Sequence, residues 1–302
     1  MDVIFLSRVI VSGGYFDDFV GLLTIIEKTE DTLVIISQNE IQHPKPEIAV
    51  MGKGITGIAL DGDYVWACFS NIIAKIRIEN FEIMDVIEDK DFNDLHEIIL
   101  HKNKLYVANT GFESIDIIDI DSKVIERIDL LGANLRSKRP DYQQNQDSKP
   151  HLHHISSITI NDEDDIIIGL VRQQRILNLT KWEWMGGKQQ SPVHDVEFVD
   201  GNIWFTTVGG VISNSEHVWN LADYQPEIGW TRGLAVTDEG IYVGTTAIRE
   251  SNHDYYSLIT NSITRKTEAG ICFISTKTEG LSSHINTKNA RREKIFSIKK
   301  IS

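Results

Sequence analysis

The stretch HDVEFVDGNIW, residues 194–204, decides the fold: it has apolar residues at its third and fifth positions, turns at Asp200-Gly201, and re-enters an apolar run at Ile203. This pattern predicts two antiparallel strands joined by a tight turn. Four more segments repeat it, and they start at Thr56, His96, Ser156 and Arg232. A repeat of about 40 residues with about four strands is typical of a β-propeller blade.

The two chain ends contain strand-like runs that fall outside the five aligned repeats. Residues 2–40 contain three strand-like runs with no first strand before them, and residues 294–301 form one unpaired run. Pairing the two ends would remove exposed sheet edges. The sequence therefore predicts an all-β propeller of six four-stranded blades, closed by its amino- and carboxyl-terminal strands. Five blades stay an alternative if residues 1–40 form only a partial blade.

The whole chain, residues 1–302, is predicted to be a single domain with loop insertions at about 132–150 and 250–266. It has 30 Lys and Arg against 44 Asp and Glu, a formal charge of −14. This balance argues against nucleic acid or an anionic membrane as the main partner, since both need a basic surface. No apolar stretch approaches the length of about 18 residues that a transmembrane helix needs, and no secretion signal is recognised, so a cytoplasmic location is expected.

The first residue of each innermost strand is predicted to point toward the central channel. Among these residues are His96, His194 and Arg232, and His154 lies two residues before Ser156 on the same strand face. Three histidines from consecutive blades are thus predicted to meet near the axis. His151, at the end of the first insertion, is expected to be solvated.

Imidazole is a common ligand of zinc, iron and copper, so His96, His154 and His194 predict a site for one of these divalent metals, with open positions for water or substrate. Arg232 could hold an anionic group of a small molecule in the channel. Glu97 and Asp195 each follow a ring histidine, so they are expected on the opposite strand face, supporting a histidine or contacting another blade. Arg232, Glu97 and Asp195 are the candidate catalytic residues.

Two alternatives to the metal site stay open: a metal-free polar pocket built from the same residues, and a purely structural ring. At the level of function, the first hypothesis is a metal-dependent propeller enzyme, a hydrolase or lyase, that acts on a small molecule in the channel. The second is a non-catalytic scaffold for a protein or a glycan. Converging histidines favour the enzyme, whereas the lack of a recognisable nucleophile favours the scaffold. The sequence predicts no oligomeric state.

Parts of the sequence resemble a family of uncharacterised bacterial proteins, some of them tetratricopeptide-linked, that are predicted to be propellers. The resemblance covers roughly residues 54–275 and is carried by residues 194–204, 230–235, 154–158 and 241–244. Ser157 and Thr231 depart from it, since they stand where the family tends to have glycine and proline. The layout is also distantly similar to six-bladed gluconolactonase, strictosidine-synthase and peptide-amidating-lyase propellers, which implies a metal in the channel by analogy of fold alone.

Overall fold

The computed structural model describes residues 7–30, 32–130, 151–224, 229–249, 252, 254, 269–276, 280–286 and 294–301. These residues form six antiparallel sheets of four strands each, which confirms the six-bladed propeller over the five-bladed alternative. The predicted insertion at 132–150 lies outside the described residues, as does the one at 250–266 apart from residues 252 and 254. No helix among the described residues is long and apolar enough to cross a membrane.

The strands follow one another blade by blade. The first blade contains β1 (Ser7–Gly14), β2 (Gly21–Lys28) and β3 (Leu33–Ile41), and the second contains β4 (Ile55–Asp61), β5 (Tyr64–Phe69), β6 (Ile72–Arg77) and β7 (Ile83–Ile87). The third contains β8 (Leu95–His101), β9 (Lys104–Asn109), β10 (Ser114–Asp119) and β11 (Ile125–Asp129), and the fourth β12 (Ile155–Ile160), β13 (Ile166–Leu170), β14 (Arg175–Asn178) and β15 (Glu183–Met185). The fifth contains β16 (Val193–Val199), β17 (Asn202–Thr207), β18 (Val211–Ser213) and β19 (Val218–Asn220), and the sixth β20 (Trp230–Thr237), β21 (Gly240–Thr246), β22 (Gly270–Ser275) and β23 (Gly280–Asn286). The last strand, β24 (Lys294–Ile301), belongs to the first blade, and two short 3-10 turns lie at Pro46–Ile48 and Leu221–Asp223.

The ring closes through the last strand, as the orphan run predicts. β24 pairs antiparallel with β1, from Arg8 opposite Ile301 to Gly14 opposite Lys294, and it is the innermost strand of the first blade. The innermost strands contact one another in a closed circle, β24 with β4, then β8, β12, β16 and β20, and β20 again with β24. The central channel is therefore lined by one strand from each blade.

Apolar clusters fill the gaps between neighbouring blades. Between the second and third blades, for example, Trp66 and Ile73 share one buried cluster with Ile98 and Leu105. Five similar clusters join the other pairs of blades. The alternation of apolar positions that marks the repeat is explained by this packing of one sheet face on the next.

Each innermost strand has a β-bulge at the position where its channel residue stands. In the second to sixth blades, the pairing of the innermost strand with its neighbour shifts register across Ile55–Gly57, Leu95–Ile98, Ile155–Ser157, Val193–Val196 and Arg232–Leu234. In the first blade, the pairing of β24 with β1 shifts between Ile298 and Ile295. A bulge places two residues opposite one, and it re-aims their side chains. Two consecutive residues of an inner strand can then both face the channel, which simple alternation does not allow.

Candidate functional site

A cavity of about 330 Å³ lies at the end of the channel where the innermost strands begin. Its lining includes four cationic side chains, Lys53, Arg232, Arg249 and Lys294. No aspartate or glutamate is among the described residues that line it. In a protein with a net charge of −14, these residues give the cavity a positively charged lining, in which Lys53 is paired with the buried Asp94.

Arg232 is held in place by aromatic rings. It stands at the bulge of β20, and its guanidinium carbon lies 5.2 Å from the Trp230 ring centroid and 4.9 Å from that of Phe296. Stacking on aromatic faces is a favourable arrangement for a guanidinium group and limits its side-chain freedom. A pre-positioned planar group of this kind can bind a carboxylate or phosphate through two hydrogen bonds.

The other cations of the cavity are also fixed by the chain. Arg249 donates a hydrogen bond of 2.6 Å to the carbonyl oxygen of Phe16 and stacks 4.4 Å from that ring's centroid. The Nζ of Lys294 lies 4.7 Å from the same centroid and donates to the carbonyl oxygen of Gly52. Ordered cations lose less entropy when they bind an anion than mobile surface lysines do.

The structure brings together two of the three predicted histidines. His96 and His154 both line the cavity, and their rings meet edge to face with centroids 4.8 Å apart. His194 is buried but is not among the lining residues; its ring lies edge-on to Trp230, and its Nδ1 is 3.3 Å from Oδ2 of Asp195. Arg232 lies with His96 and His154 on the cavity wall.

The metal centre predicted from the three histidines receives no support from the described residues. Within the described part of the chain, no group of three or more His, Cys, Asp or Glu side chains is arranged to hold a metal ion. The Nδ1 of His154 hydrogen-bonds to Nδ1 of His151 at 2.8 Å, and His194 contacts Asp195. A zinc, iron or copper ion bound by His96, His154 and His194 therefore stays a prediction.

Sequence reasoning missed Asp94 and the buried position of His151, as well as the cavity cations Lys53, Arg249 and Lys294. The expectation that His151 is solvated is wrong, because the residue is only 4% exposed and contacts His154. Asp94 is fully buried and lies two residues before His96, as His154 lies two before Ser156. Aligning this earlier position across the repeats would have found Asp94.

A second group of charged side chains lies in the channel. Glu97 contacts Ser297 and Lys299 of β24, on a blade that is not its neighbour, at 3.3 and 3.6 Å. Glu97 is thus in contact with another blade, and it reaches that blade across the channel because the bulge changes the direction of its side chain. Asp195 lies at the corresponding bulge of β16, where it accepts a 2.6 Å hydrogen bond from Thr206 and its Oδ2 lies 3.3 Å from Nδ1 of His194.

Burial controls the protonation of this group. It raises the pKa of Glu97 to about 7 and that of Glu197 to about 7, in each case against the opposing effect of Lys299. Burial alone would lower the pKa of Lys299, but the carboxylates of Glu97, Glu197 and Asp195 raise it. The arrangement therefore favours a charged lysine beside carboxyl groups that resist ionisation.

We expect the substitution Glu97→Gln to change how stability depends on pH. In the folded protein the Glu97 pKa is about 7 against an ordinary value of 4.5, so ionisation destabilises the fold as pH rises from 4.5 to 7. The Glu97→Gln variant has no carboxyl group to ionise at this position, so it does not lose this stability. Its free energy of unfolding in urea, relative to wild type, should therefore be higher at pH 8 than at pH 5. The control is Glu126→Gln, at an exposed position of β11. If Glu97→Gln changed the free energy of unfolding by the same amount at pH 5 and at pH 8, the raised pKa of Glu97 would be contradicted.

Comparisons with known proteins support the fold and do not place the chain in a family. No protein-family model and no curated protein matches it. The propeller in a nidogen/laminin complex is similar in structure, with 9% identity, a TM-score of 0.61, and coverage of 97% of this chain and 98% of that one. The Cps50 (Swd1) propeller of Myceliophteria thermophila has 12% identity, a TM-score of 0.50, and coverage of 95% and 88%.

A streptogramin B lyase structure is also similar, with 15% identity, a TM-score of 0.50, and coverage of 79% of this chain and 71% of that one. The propeller neighbours thus include an enzyme as well as a protein found in a complex. At these identities the likeness establishes the β-propeller alone, since one fold hosts many functions. The resemblance to uncharacterised bacterial proteins stays a prediction.

Proposed function

We propose that the protein binds a small anionic molecule at the mouth of its central channel. The observation that carries this proposal is the set of four cationic side chains around one cavity, with no carboxylate among its described lining residues. The net charge of the chain is strongly negative, so the positive lining is a local departure from the overall balance. Fields of this kind concentrate oppositely charged ligands in a cleft.

The dimensions and chemistry of the cavity narrow the class of ligand. A volume of about 330 Å³ is at the lower end of the range for small-molecule sites. Phe16, Trp230 and Phe296 supply apolar surface beside the cations. The proposed ligand is therefore a carboxylate or a phosphate with a short organic part.

The proposal extends to an enzyme of the hydrolase or lyase type, with His96 and His154 as the imidazoles beside the bound anion. Burial lowers the pKa of His96 to about 3, and burial together with His96 holds the pKa of His154 well below its usual value. Both imidazoles are thus neutral near pH 7, and as weak bases they are suited to accept a hydrogen bond from the ligand rather than to take up its proton. Both rings line the cavity that would hold the anion.

The binding proposal is tested by calorimetric titration with propyl phosphate and with 1-propanol, which have the same carbon chain and differ in the anionic group. We expect measurable binding of propyl phosphate, weaker at 0.5 M than at 0.05 M NaCl, because ions screen the charges. Propanol should not bind. Equal heats for the two compounds, or no binding of propyl phosphate at low salt, would overturn the proposal.

A further inference from the structure

The hydrogen bond that His96 makes to the backbone of Asp94 determines which of its ring nitrogens carries the hydrogen. The Nδ1 of His96 lies 3.0 Å from the carbonyl oxygen of Asp94. A carbonyl oxygen only accepts hydrogen bonds, so Nδ1 must carry the hydrogen. In the neutral ring, Nε2 is then an unprotonated acceptor. Because Nδ1 is occupied, Nε2 is the nitrogen that remains for a ligand in the cavity that this ring lines.

Asp94 also determines, through His151, which ring nitrogen of His154 carries the hydrogen. Oδ2 of Asp94 lies 3.5 Å from Nε2 of His151, and Oδ1 lies 2.5 Å from Nζ of Lys53. No hydrogen bond joins these two atoms of Asp94 and His151 at 3.5 Å, but a carboxylate repels a nitrogen lone pair and attracts an N–H group. The neutral His151 ring is therefore expected to carry its hydrogen on Nε2, which leaves its Nδ1 as an acceptor. The Nδ1 of His154, 2.8 Å from that acceptor, must then donate. His154 is thereby left, like His96, with an unprotonated Nε2.

The backbone is strained at both ends of this chain of contacts. Asp94 has φ +47° and His154 has φ +56°, a left-handed conformation that non-glycine residues rarely adopt. The Glu113 carboxylate accepts hydrogen bonds from the backbone N–H groups of His153 and His154, which holds the strained turn. Strain that the surroundings maintain in this way is concentrated at functional sites.

We infer that Asp94 and His151 are positioning residues that make His96 and His154 a pair of hydrogen-bond acceptors facing the cavity. The inference rests on the proposed anion site and names its ligand more closely. Two adjacent acceptors need hydrogen donors, and the cations already serve the anionic group. The ligand class is therefore an anion that carries hydroxyl groups, such as a hydroxy acid or a polyol phosphate.

Nitrogen-15 NMR of the histidine side chains tests the positioning directly. In the wild-type protein at pH 7 we expect both His96 and His154 to carry hydrogen on Nδ1. In the His151→Leu variant, His154 should lose this preference while His96, whose partner is a backbone carbonyl, keeps it. The matched control is His101→Leu, at a half-buried site in contact with Asp164, which should change neither ring. A wild-type spectrum with hydrogen on Nε2 of either ring would overturn the inference even if the variant does not fold.

Ligand binding supplies the second readout. Glycerol 3-phosphate should bind about tenfold more tightly than propyl phosphate to the wild type, since each hydrogen bond to a buried acceptor adds to affinity. The ratio of the two affinities, measured within one variant, should fall severalfold in His151→Leu. If propyl phosphate binds and glycerol 3-phosphate binds no better, the hydroxyl inference fails while the anion site stands. If neither binds, the anion site itself fails.

Discussion

Replacing Arg232 with methionine will weaken the binding of propyl phosphate by about tenfold to a hundredfold. A hydrogen bond to a charged group contributes about 1.5–3 kcal/mol, and 1.4 kcal/mol is a factor of ten in affinity. Methionine keeps much of the apolar contact with Trp230 and Phe296 but cannot bind the phosphate. Calorimetric titration at 0.05 M NaCl measures the effect.

The control is Arg175→Met, because Arg175 also stacks on a tryptophan, Trp184, but lies at the start of β14 and does not line the cavity. Its affinity for propyl phosphate should match that of the wild type. Both variants should unfold at temperatures close to the wild-type value, which separates loss of binding from loss of fold. An Arg232→Met variant with undiminished affinity would place the anion elsewhere.

Deleting residues 291–302 will prevent stable folding. The deletion removes β24, whose buried residues include Ile295, Phe296 and Ile298. Burying an apolar side chain of this size stabilises a protein by ~1.5–3 kcal/mol. Three such losses are comparable to the whole stability of many domains, about 5–15 kcal/mol. The deletion also exposes the edge of β1 to aggregation.

Circular dichroism and size-exclusion chromatography of the truncated chain measure this outcome. We expect insoluble or aggregated protein with no cooperative thermal transition. Lys300→Gln is the control, since it removes an exposed charge from the same strand without exposing its apolar face. A truncated chain that is monomeric and melts at the wild-type temperature would show that closure by β24 does not stabilise the ring.

The repeat made the propeller predictable because burial between blades demands the same apolar positions in each one. The pairing of the chain ends was predictable for a related reason: an orphan strand at 294–301 and an incomplete first blade complete each other. Neither inference needs side-chain geometry. Both depend on sheet edges and apolar surfaces, which sequence patterns record directly.

The site was only partly predictable, because its geometry depends on departures from the regular strand. Reading the inner strands with a period of two assigns Glu97 to the face opposite His96, and the bulge of β8 cancels that assignment. The part played by His151 depends on its contacts with His154 and Asp94, which no repeat position marks. Arg232 was identified by its repeat position, whereas Lys53, Arg249 and Lys294 reach the cavity from outside the aligned first positions.

The most direct test of the anion site is a crystal structure of the protein with propyl phosphate. We predict that phosphate oxygens lie within hydrogen-bonding distance of the Arg232 guanidinium group and of at least one of the cavity lysines, Lys53 or Lys294. The propyl chain should contact Trp230 or Phe296. Phosphate density at another surface, with the cavity free of it at a concentration that saturates binding in solution, would contradict the account.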